Sequence, residues 1–433
     1  MEIDHNPELD RALHLLDNTS SHVILTGRAG TGKSTLLTYF RLHTKKKAVV
    51  LAPTGIAAVN VQGETIHSFC GFKPSVTLFS ALKRAKNLKK KEREMYKAVQ
   101  MIVIDEISMV RADLLDIVDR FLRKAVGDEA PFGGKQMVFI GDLYQLPPVL
   151  REEDKEDYAV FYKTPYFFSS QVIKEMLWSA FPPEHVELTR IYRQEQQEFI
   201  ELLNAIRDGS CTQRDITKLN ERKIQLPPES NAIHLTATNK QADIENQTRL
   251  DDLDEALEMY QAKVTGDIDE RIFPVKDVLE IKKGARIMMT NNETDGRWQN
   301  GSLGTVINCD ENGIEVHLDN GRICEIDPFR WDMYHTVLDE EKGQLEQKSV
   351  GSFTQYPIKL AWAITIHKSQ GQTFDEVLID LGWGAFAEGQ TYVALSRCRT
   401  FEGIYLKKAL QMRDVKVDLR IGAFFEVLKM KKI

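Results

Sequence analysis

The sequence predicts an α/β protein with two parallel-sheet domains and a small all-β insertion. Three observations carry that reading. Short, β-branched apolar runs recur at residues 23–25, 49–51, 101–104 and 137–140, and again at 233–235, 287–289, 377–379 and 404–406. Helix-patterned segments lie between them, as in sheets covered on both faces. The runs end in polar or glycine-containing turns, at the strand ends where such sheets bind ligands. A chain of 433 residues is too long for one ordinary core, and two sets of runs fit two domains.

From about residue 300 to 351 the texture changes. Glycines punctuate short alternating segments at 304–308 and 313–318, followed by Asp319-Asn320-Gly321. Asn-Gly between alternating segments is a hairpin signal. The stretch reads as a small all-β insertion, a barrel, within the second α/β domain.

Composition narrows the class. With 42% hydrophobic and 28% charged residues the chain is globular, and no apolar stretch has bilayer length, so no membrane partner is expected. The N-terminus, Met1-Glu2-Ile3-Asp4-His5, does not resemble a secretion signal. Cys70, Cys211, Cys309, Cys324 and Cys398 are scattered and lack metal-ligand spacing, which reads as reduced thiols in the cytoplasm. Net charge of −7 argues against coating nucleic acid through bulk positive charge, but leaves room for a local basic groove. The one basic run is Lys83, Arg84, Lys86, Lys89, Lys90, Lys91, Arg93 and Lys97, and such runs read first as solvated helix faces.

The chemistry starts at Gly27-Arg28-Ala29-Gly30-Thr31-Gly32-Lys33-Ser34, between an apolar run and a helix-like run beginning at Thr35. That is the strand–loop–helix context of a phosphate-binding loop. Glycines let backbone N–H groups wrap phosphate oxygens, and the helix N-terminus adds positive potential. Lys33 is suited to the β and γ phosphates and Ser34 to Mg²⁺. The run at 101–104 ends in Asp105, suited to hold Mg²⁺, and Glu106, suited to orient and deprotonate water. The run at 137–140 leads into Gly141-Asp142-Leu143-Tyr144-Gln145, where the Gln145 amide can donate to and accept from a γ-phosphate. Arg193 and Arg397 are surface arginines taken alone. Placed across a cleft from the loop they would neutralise transition-state charge.

The strings GRAGTGKS, LAPTGIAAVN, GETIHSF, IVIDEISMV, PFGGKQMVFIGDLYQLPPV, LTRIYRQ, LAWAITIHKSQGQT and YVALSRCR resemble, in order, the motif set of superfamily 1 helicases. More narrowly they resemble the PIF (petite integration frequency) family, related to RecD. Residues 113–136 resemble that family's own signature. The likeness runs from about Val23 to Leu406, close to the bare helicase core of bacterial members. One departure stands out: the family's adenine-reading Gln upstream of the loop has no counterpart in Asn6-Pro7-Glu8-Leu9-Asp10-Arg11-Ala12.

The resemblance implies two tandem RecA-like domains. Domain 1A would span 1–180, with a wedge element 1B at 66–82. Domain 2A would comprise 181–293 and 353–433, and an SH3-like insertion 2B would occupy 294–352. ATP and Mg²⁺ would be the cofactors, with Gly27, Ala29, Gly30, Thr31, Gly32, Lys33, Ser34, Thr35 and Gly371 around the nucleotide. A single DNA strand would lie on Pro53, Thr54, Gly55, Thr65, His67, Ser68, Phe72, Tyr144, Leu146 and Pro147. On the second domain it would meet Thr236, Thr238, Asn239, Asn246, Thr365, His367, Lys368 and Ser369. Small hydroxyls and amides hold a backbone without reading sequence, and aromatic rings stack on any base. Cys70-Gly71-Phe72-Lys73-Pro74 would present a separating edge. The implied activity is 5′-to-3′ unwinding of forked or tailed DNA, extending to RNA–DNA hybrids and G-quadruplexes, by a monomer associated with the nucleoid. The competing readings are a translocase that does not separate strands and an enzyme acting on RNA.

Overall fold

The computed structural model describes residues 3–73, 75–150, 155–227, 230–266, 273–293, 295–339 and 344–430. The chain divides into two compact units: Met1–Tyr192 with Tyr334–Ser349 and Asp418–Ile433, and Arg193–Met333 with Val350–Val417. Among the described residues no helix is long and apolar enough to cross a membrane.

The first unit is built on strands β1 (Val23–Gly27), β2 (Ala48–Ala52), β3 (Glu64–Thr65), β4 (Met101–Ile104), β5 (Gln136–Gly141) and β6 (Glu184–Leu188). They form one parallel sheet in the order β3-β2-β4-β5-β1-β6. Helices α1 (Pro7–Asn18), α2 (Lys33–His43), α3 (Gly55–Asn60), α4 (Ile66–Cys70), α5 (Leu78–Lys86), α6 (Lys90–Ala98), α7 (Ala112–Val126), α8 (Lys155–Phe161) and α9 (Gln171–Leu177) accompany it. Leu115, Val118, Leu122 and Ala125 of α7 are buried at helical spacing, which lays that face on the sheet's core. Gly127, at φ +82°, ends α7 in the left-handed conformation that favours glycine.

The apolar runs of the first half are all strands, but several boundaries differ from the expectation. Domain 1A does not stop at residue 180, because β6 pairs with β1 from Val23↔Glu184 to Gly27↔Leu188. The C-terminal helix Leu419–Met430 belongs to the first unit, where Ile421, Phe424 and Leu428 join its core. The insertion expected at 66–82 extends further: α5 and α6 form a helical pair against α7, with Ala81, Ala85, Met95 and Tyr96 buried. Pro74, expected in the separating edge, lies outside the described residues.

The family-like segment 131–136 has a structural task. Phe132 is left-handed at φ 53°, and its N–H donates to Asp119 at 2.7 Å. Arg123 Nε bonds the same carboxylate at 2.9 Å, and its far nitrogen reaches Glu175 at 2.7 Å. Burial pushes the Asp119 carboxyl up, against the pull of the Arg123 guanidinium. A buried, fully paired network of this kind fixes one geometry for the turn entering β5.

The second unit holds helices α10 (Gln197–Asp208), α11 (Gln213–Asn220), α12 (Asn239–Asp251) and α13 (Gln390–Leu395). Its strands are β7 (Ile233–Thr236), β8 (Glu258–Gln261), β9 (Lys263–Gly266), β10 (Val278–Ile281), β11 (Arg286–Met289), β12 (Leu303–Asp310), β13 (Gly313–Leu318), β14 (Ile323–Ile326), parts of β15 (Phe329–Asp339) and β16 (Gln344–Gln355), whose residues 334–339 and 344–349 are counted in the first unit, then β17 (Ile358–Leu360), β18 (Ala363–Thr365), β19 (Val377–Asp380) and β20 (Ile404–Leu406). The parallel sheet is β18-β7-β19-β20. Residues 287–289 are not in it. They lie in β11 of an antiparallel sheet ordered β14-β13-β12-β11-β17. A fully buried run has no period that tells the two sheet types apart.

The insertion is therefore wider than 294–352, since its sheet starts at β11 and closes its pairing at β17. Among the described residues this sheet shows no pairing between its outer strands β14 and β17. The Asn-Gly hairpin is present: β13 and β14 pair, Gly321 N bonds Leu318 O at 2.9 Å, and Gly321 is left-handed at φ +84°.

Candidate functional site

β1, β5 and β4 are neighbours in the first sheet, and their carboxyl ends carry the expected chemistry side by side. At β1, Gly27 has no room for a side chain: a Cβ would stand 2.5 Å from Thr31 Oγ1 and 2.9 Å from Leu188 O. Gly30 and Gly32 are left-handed at φ +80° and +83°, and no side chain caps α2. The first N–H groups of that helix are thus presented to a ligand. Lys33 Nζ curls back onto the loop, donating to Gly27 O at 2.8 Å and Arg28 O at 2.9 Å. Ser34 and Thr35 are exposed on the first turn, while Ala29 and Thr31 are buried in the loop.

At β4, Asp105 is buried and Glu106 follows in a left-handed conformation, φ 49° and ψ 44°. The Glu106 N–H donates to Asp105 Oδ1 at 2.9 Å. Such strain in a non-glycine residue persists only where the surroundings impose it, often at a functional site. Burial pushes the Asp105 carboxyl up, against the pull of the Glu106 N–H and the Lys33 ammonium. A carboxylate in that setting gains from a bound cation, which supplies the charge that solvent cannot.

At β5, Gly141 admits the turn that follows Glu106; a Cβ there would meet Ile107 Cγ2 at 3.1 Å. Asp142 and Gln145 are buried beyond it, with Gln145 N bonded to Asp142 O at 3.1 Å. Tyr192 is a site residue that the sequence reading passed over. Its N–H bonds Gly30 O at 2.8 Å, its ring stands over Gly32, and Asn6 Nδ2 reaches its hydroxyl at 3.4 Å. An aromatic inside LTRIYRQ was the available signal.

The strand-binding candidates of the first unit divide. Thr54 and Thr65 cap α3 and α4, accepting from Ala57 N at 3.2 Å and Ser68 N at 3.1 Å, and Thr65 pairs in register with Ala52, two residues before Thr54. Each hydroxyl proton remains available to a phosphate. Pro53, Gly55, Pro147, His67 and Ser68 are part-buried, and burial lowers the His67 pKa. Three other candidates are committed to packing. Leu146 is fully buried, Phe72 meets Phe121 edge-on at 5.0 Å, and Tyr144 stacks on Phe425 at 6.0 Å.

In the second unit, Thr238, Asn239 and Lys368 are exposed and His367 is part-buried. Thr236 and Thr365 face each other in register and are buried. Ser369 is buried with its hydroxyl on Ile366 O at 2.7 Å, and the Asn246 amide is held by Ala363. Lys359 of β17 was not foreseen; burial and the neighbouring Lys368 push its ammonium down to about 8. Arg193 donates to Ser396 O at 3.3 Å. Arg397 is fully buried in a cage of oxygens: Val393 O at 2.9 Å, Ser369 O and Gln372 O at 3.2 Å, and Ser396 Oγ at 2.8 Å. Gly371 is left-handed at φ +78° in the loop that cage holds.

Comparison with known proteins adds to this geometry. The family model described as PIF1-like helicase matches residues 9–217. The chain is 30% identical to the ATP-dependent DNA helicase Pif1 of Bdellovibrio bacteriovorus, over 98% of this chain and 92% of that one. The crystal structure of Bacteroides sp. Pif1 in complex with ADP-AlF4 matches with TM-score 0.88 at 34% identity, over 99% of this chain and 98% of that one. The Bacteroides Pif1 helicase in complex with ADP-AlF3 and ssDNA matches with TM-score 0.71 at 34% identity, over the same shares.

Proposed function

The chain belongs to the PIF1-like helicase family, and on that footing we propose that it is an ATP-dependent DNA helicase moving 5′ to 3′ along a single strand. The observation that carries the reading is the row of groups on three adjacent strand ends. An uncapped phosphate loop with Lys33, the Asp105–Glu106 turn and Gln145 all belong to one sheet.

Lys33 exchanges its carbonyl partners on Gly27 and Arg28 for the β and γ phosphates. Ser34 and Asp105 are the proposed ligands of Mg²⁺, which neutralises phosphate charge when bound. Glu106 orients water and takes its proton, and Gln145 bonds the γ-phosphate. Arg193 and Arg397 complete the neutralisation, Arg397 after giving up part of its oxygen cage. Tyr192 and Asn6 flank the loop where a base would lie, in place of the absent Gln.

Thr54, Thr65, His67 and Ser68 form one proposed grip on the strand; Thr238, Asn239, His367 and Lys368 form the other. Hydrolysis moves the grips in turn, coupling nucleotide state to position. The proposed substrates are single-stranded and tailed or forked duplex DNA, extending to RNA–DNA hybrids and G-quadruplexes. The protein is proposed to act as a monomer in the cytoplasm, on nucleoid DNA.

The test is ATP hydrolysis with and without oligothymidine, for wild type and Lys33→Ala, followed by unwinding of 5′-tailed and 3′-tailed duplexes. Strong stimulation, lost in the variant, with unwinding of the 5′-tailed duplex alone supports the reading. Hydrolysis indifferent to DNA overturns it.

A further inference from the structure

The basic run at 83–97 has no role in the mechanism above. It holds eight basic residues against two acidic ones, in a chain whose net charge is −7. The fold sorts these residues by type. The two arginines turn inward as cross-links: Arg84 pairs with Glu92 across the α5–α6 turn, and Arg93 bonds Ala125 O at 3.0 Å and Ala85 O at 3.1 Å. Ala81, Ala85, Met95 and Tyr96 bury the opposite face. Lys83, Lys86, Lys90 and Lys91 are left exposed, with no ion pair among the described residues. At the head of α5, Phe79 is 78% exposed and Leu78 46%.

The pair is also fastened to the proposed strand grip. Gly71, left-handed at φ +66°, ends α4, the helix that carries His67 and Ser68. Arg84 lies directly over it: a Cβ on Gly71 would stand 2.8 Å from Arg84 Nε. The residue that clamps α5 to α6 therefore also packs closely over the end of α4. A lysine face held rigidly beside single-strand contacts has the charge, reach and lack of directional preference that a phosphate backbone needs.

We propose that the outward face of α5 and α6 is a duplex-binding platform, on which Lys83, Lys86, Lys90 and Lys91 hold phosphates of double-stranded DNA beside the apolar tip at Phe79. The proposal rests on the helicase reading and extends it to the unopened part of the substrate. Contacts of this kind carry no base specificity.

The test compares wild type with the quadruple variants Lys83→Ala/Lys86→Ala/Lys90→Ala/Lys91→Ala and Lys83→Arg/Lys86→Arg/Lys90→Arg/Lys91→Arg. Binding of a labelled blunt duplex is measured over a salt series, and oligothymidine-stimulated hydrolysis is read on the same samples. The alanine variant is expected to lose at least tenfold in duplex affinity. Its log–log salt slope should fall by about 3 to 4, at roughly 0.9 per phosphate contact. Stimulated hydrolysis stays intact, and the arginine variant keeps wild-type duplex binding. Equal duplex affinity and slope in wild type and the alanine variant overturns the platform alone. Parallel loss of stimulation and duplex binding in the alanine variant also overturns it, making the face a general strand site. No stimulation in wild type overturns the helicase reading and the platform with it.

Discussion

The side-chain amide of Asn246 pairs with the peptide of Ala363 in both directions, donating to its carbonyl at 2.8 Å and accepting from its N–H at 2.9 Å. It ties α12 to the edge strand β18. In this structure the amide serves as a cross-link between the two elements. Asn246→Ala leaves both peptide groups short of a partner, at a cost of about 1–3 kcal/mol each where no water replaces the amide. The expected outcome is a clearly lower melting temperature, with oligothymidine affinity unchanged in the folded protein. Unchanged melting with weakened DNA binding would return Asn246 to the strand path.

Gly27→Ala tests the phosphate loop without touching a charged group. The new Cβ meets Thr31 Oγ1 and the Leu188 carbonyl well inside contact distance. The Thr31 hydroxyl can rotate away, but the carbonyl is backbone of β6 and cannot. Hydrolysis should fall at least 100-fold, and labelled-nucleotide titration should show the loss in binding. Wild-type binding in this variant would mean that the loop relaxes freely.

The sequence reading places Phe72 at a separating edge and assigns nothing to Phe79. Phe72 packs on Phe121, whereas Phe79 stands in solvent. Phe72→Ala should lower stability by about 2 kcal/mol through lost packing. Phe79→Ala should leave melting and stimulated hydrolysis unchanged and slow strand separation several-fold. A fork-unwinding assay beside an ATPase assay separates these outcomes, and equal unwinding by Phe79→Ala and wild type shows that the exposed ring plays no part in strand separation.

His22 gives the first unit a stability that depends on pH. Burial lowers its pKa from 6.5 to about 4, and its Nδ1 accepts from Met137 N at 3.1 Å. Above about pH 6.5 the ring is neutral in folded and unfolded chains alike, and the contribution is fully present. As pH falls from 6.5 towards 4 only the unfolded chain takes the proton, so stability declines; below 4 the decline stops. By pH 5 the loss is about 2 kcal/mol. His22→Asn keeps an acceptor for Met137 and removes the titration. Denaturant unfolding at pH 7 and pH 5 should show a smaller decline for the variant than for wild type, and equal declines would acquit His22.

What could be read from the chain alone were features made by consecutive residues. The loop at 27–34, the Asp105–Glu106 turn and the 141–145 turn each follow directly from a strand. A parallel sheet puts such ends on one edge, and the strand order β4-β5-β1 makes these three neighbours. The Asn-Gly hairpin was legible for the same reason, since its turn chemistry is local. β6 was not: Glu184-His185-Val186-Glu187-Leu188 alternates like a half-exposed strand, and nothing in it names β1 as its partner.

The side chains sort along the same line. The family resemblance pointed to Thr54, Thr65, Leu146, Thr236, Asn246 and Ser369 alike as strand contacts. Burial then withdrew Leu146, Thr236 and Ser369 into packing and hydrogen bonds, and gave Asn246 to Ala363. The arginines of the basic run went inward and the lysines outward, although one stretch of sequence holds both. Sequence alone determined the chemistry of the phosphate site, because that chemistry is carried by backbone geometry within a few residues. Tertiary structure decided which polar groups remain free to act, because exposure depends on neighbours that may be over a hundred residues away, as Ala363 is from Asn246.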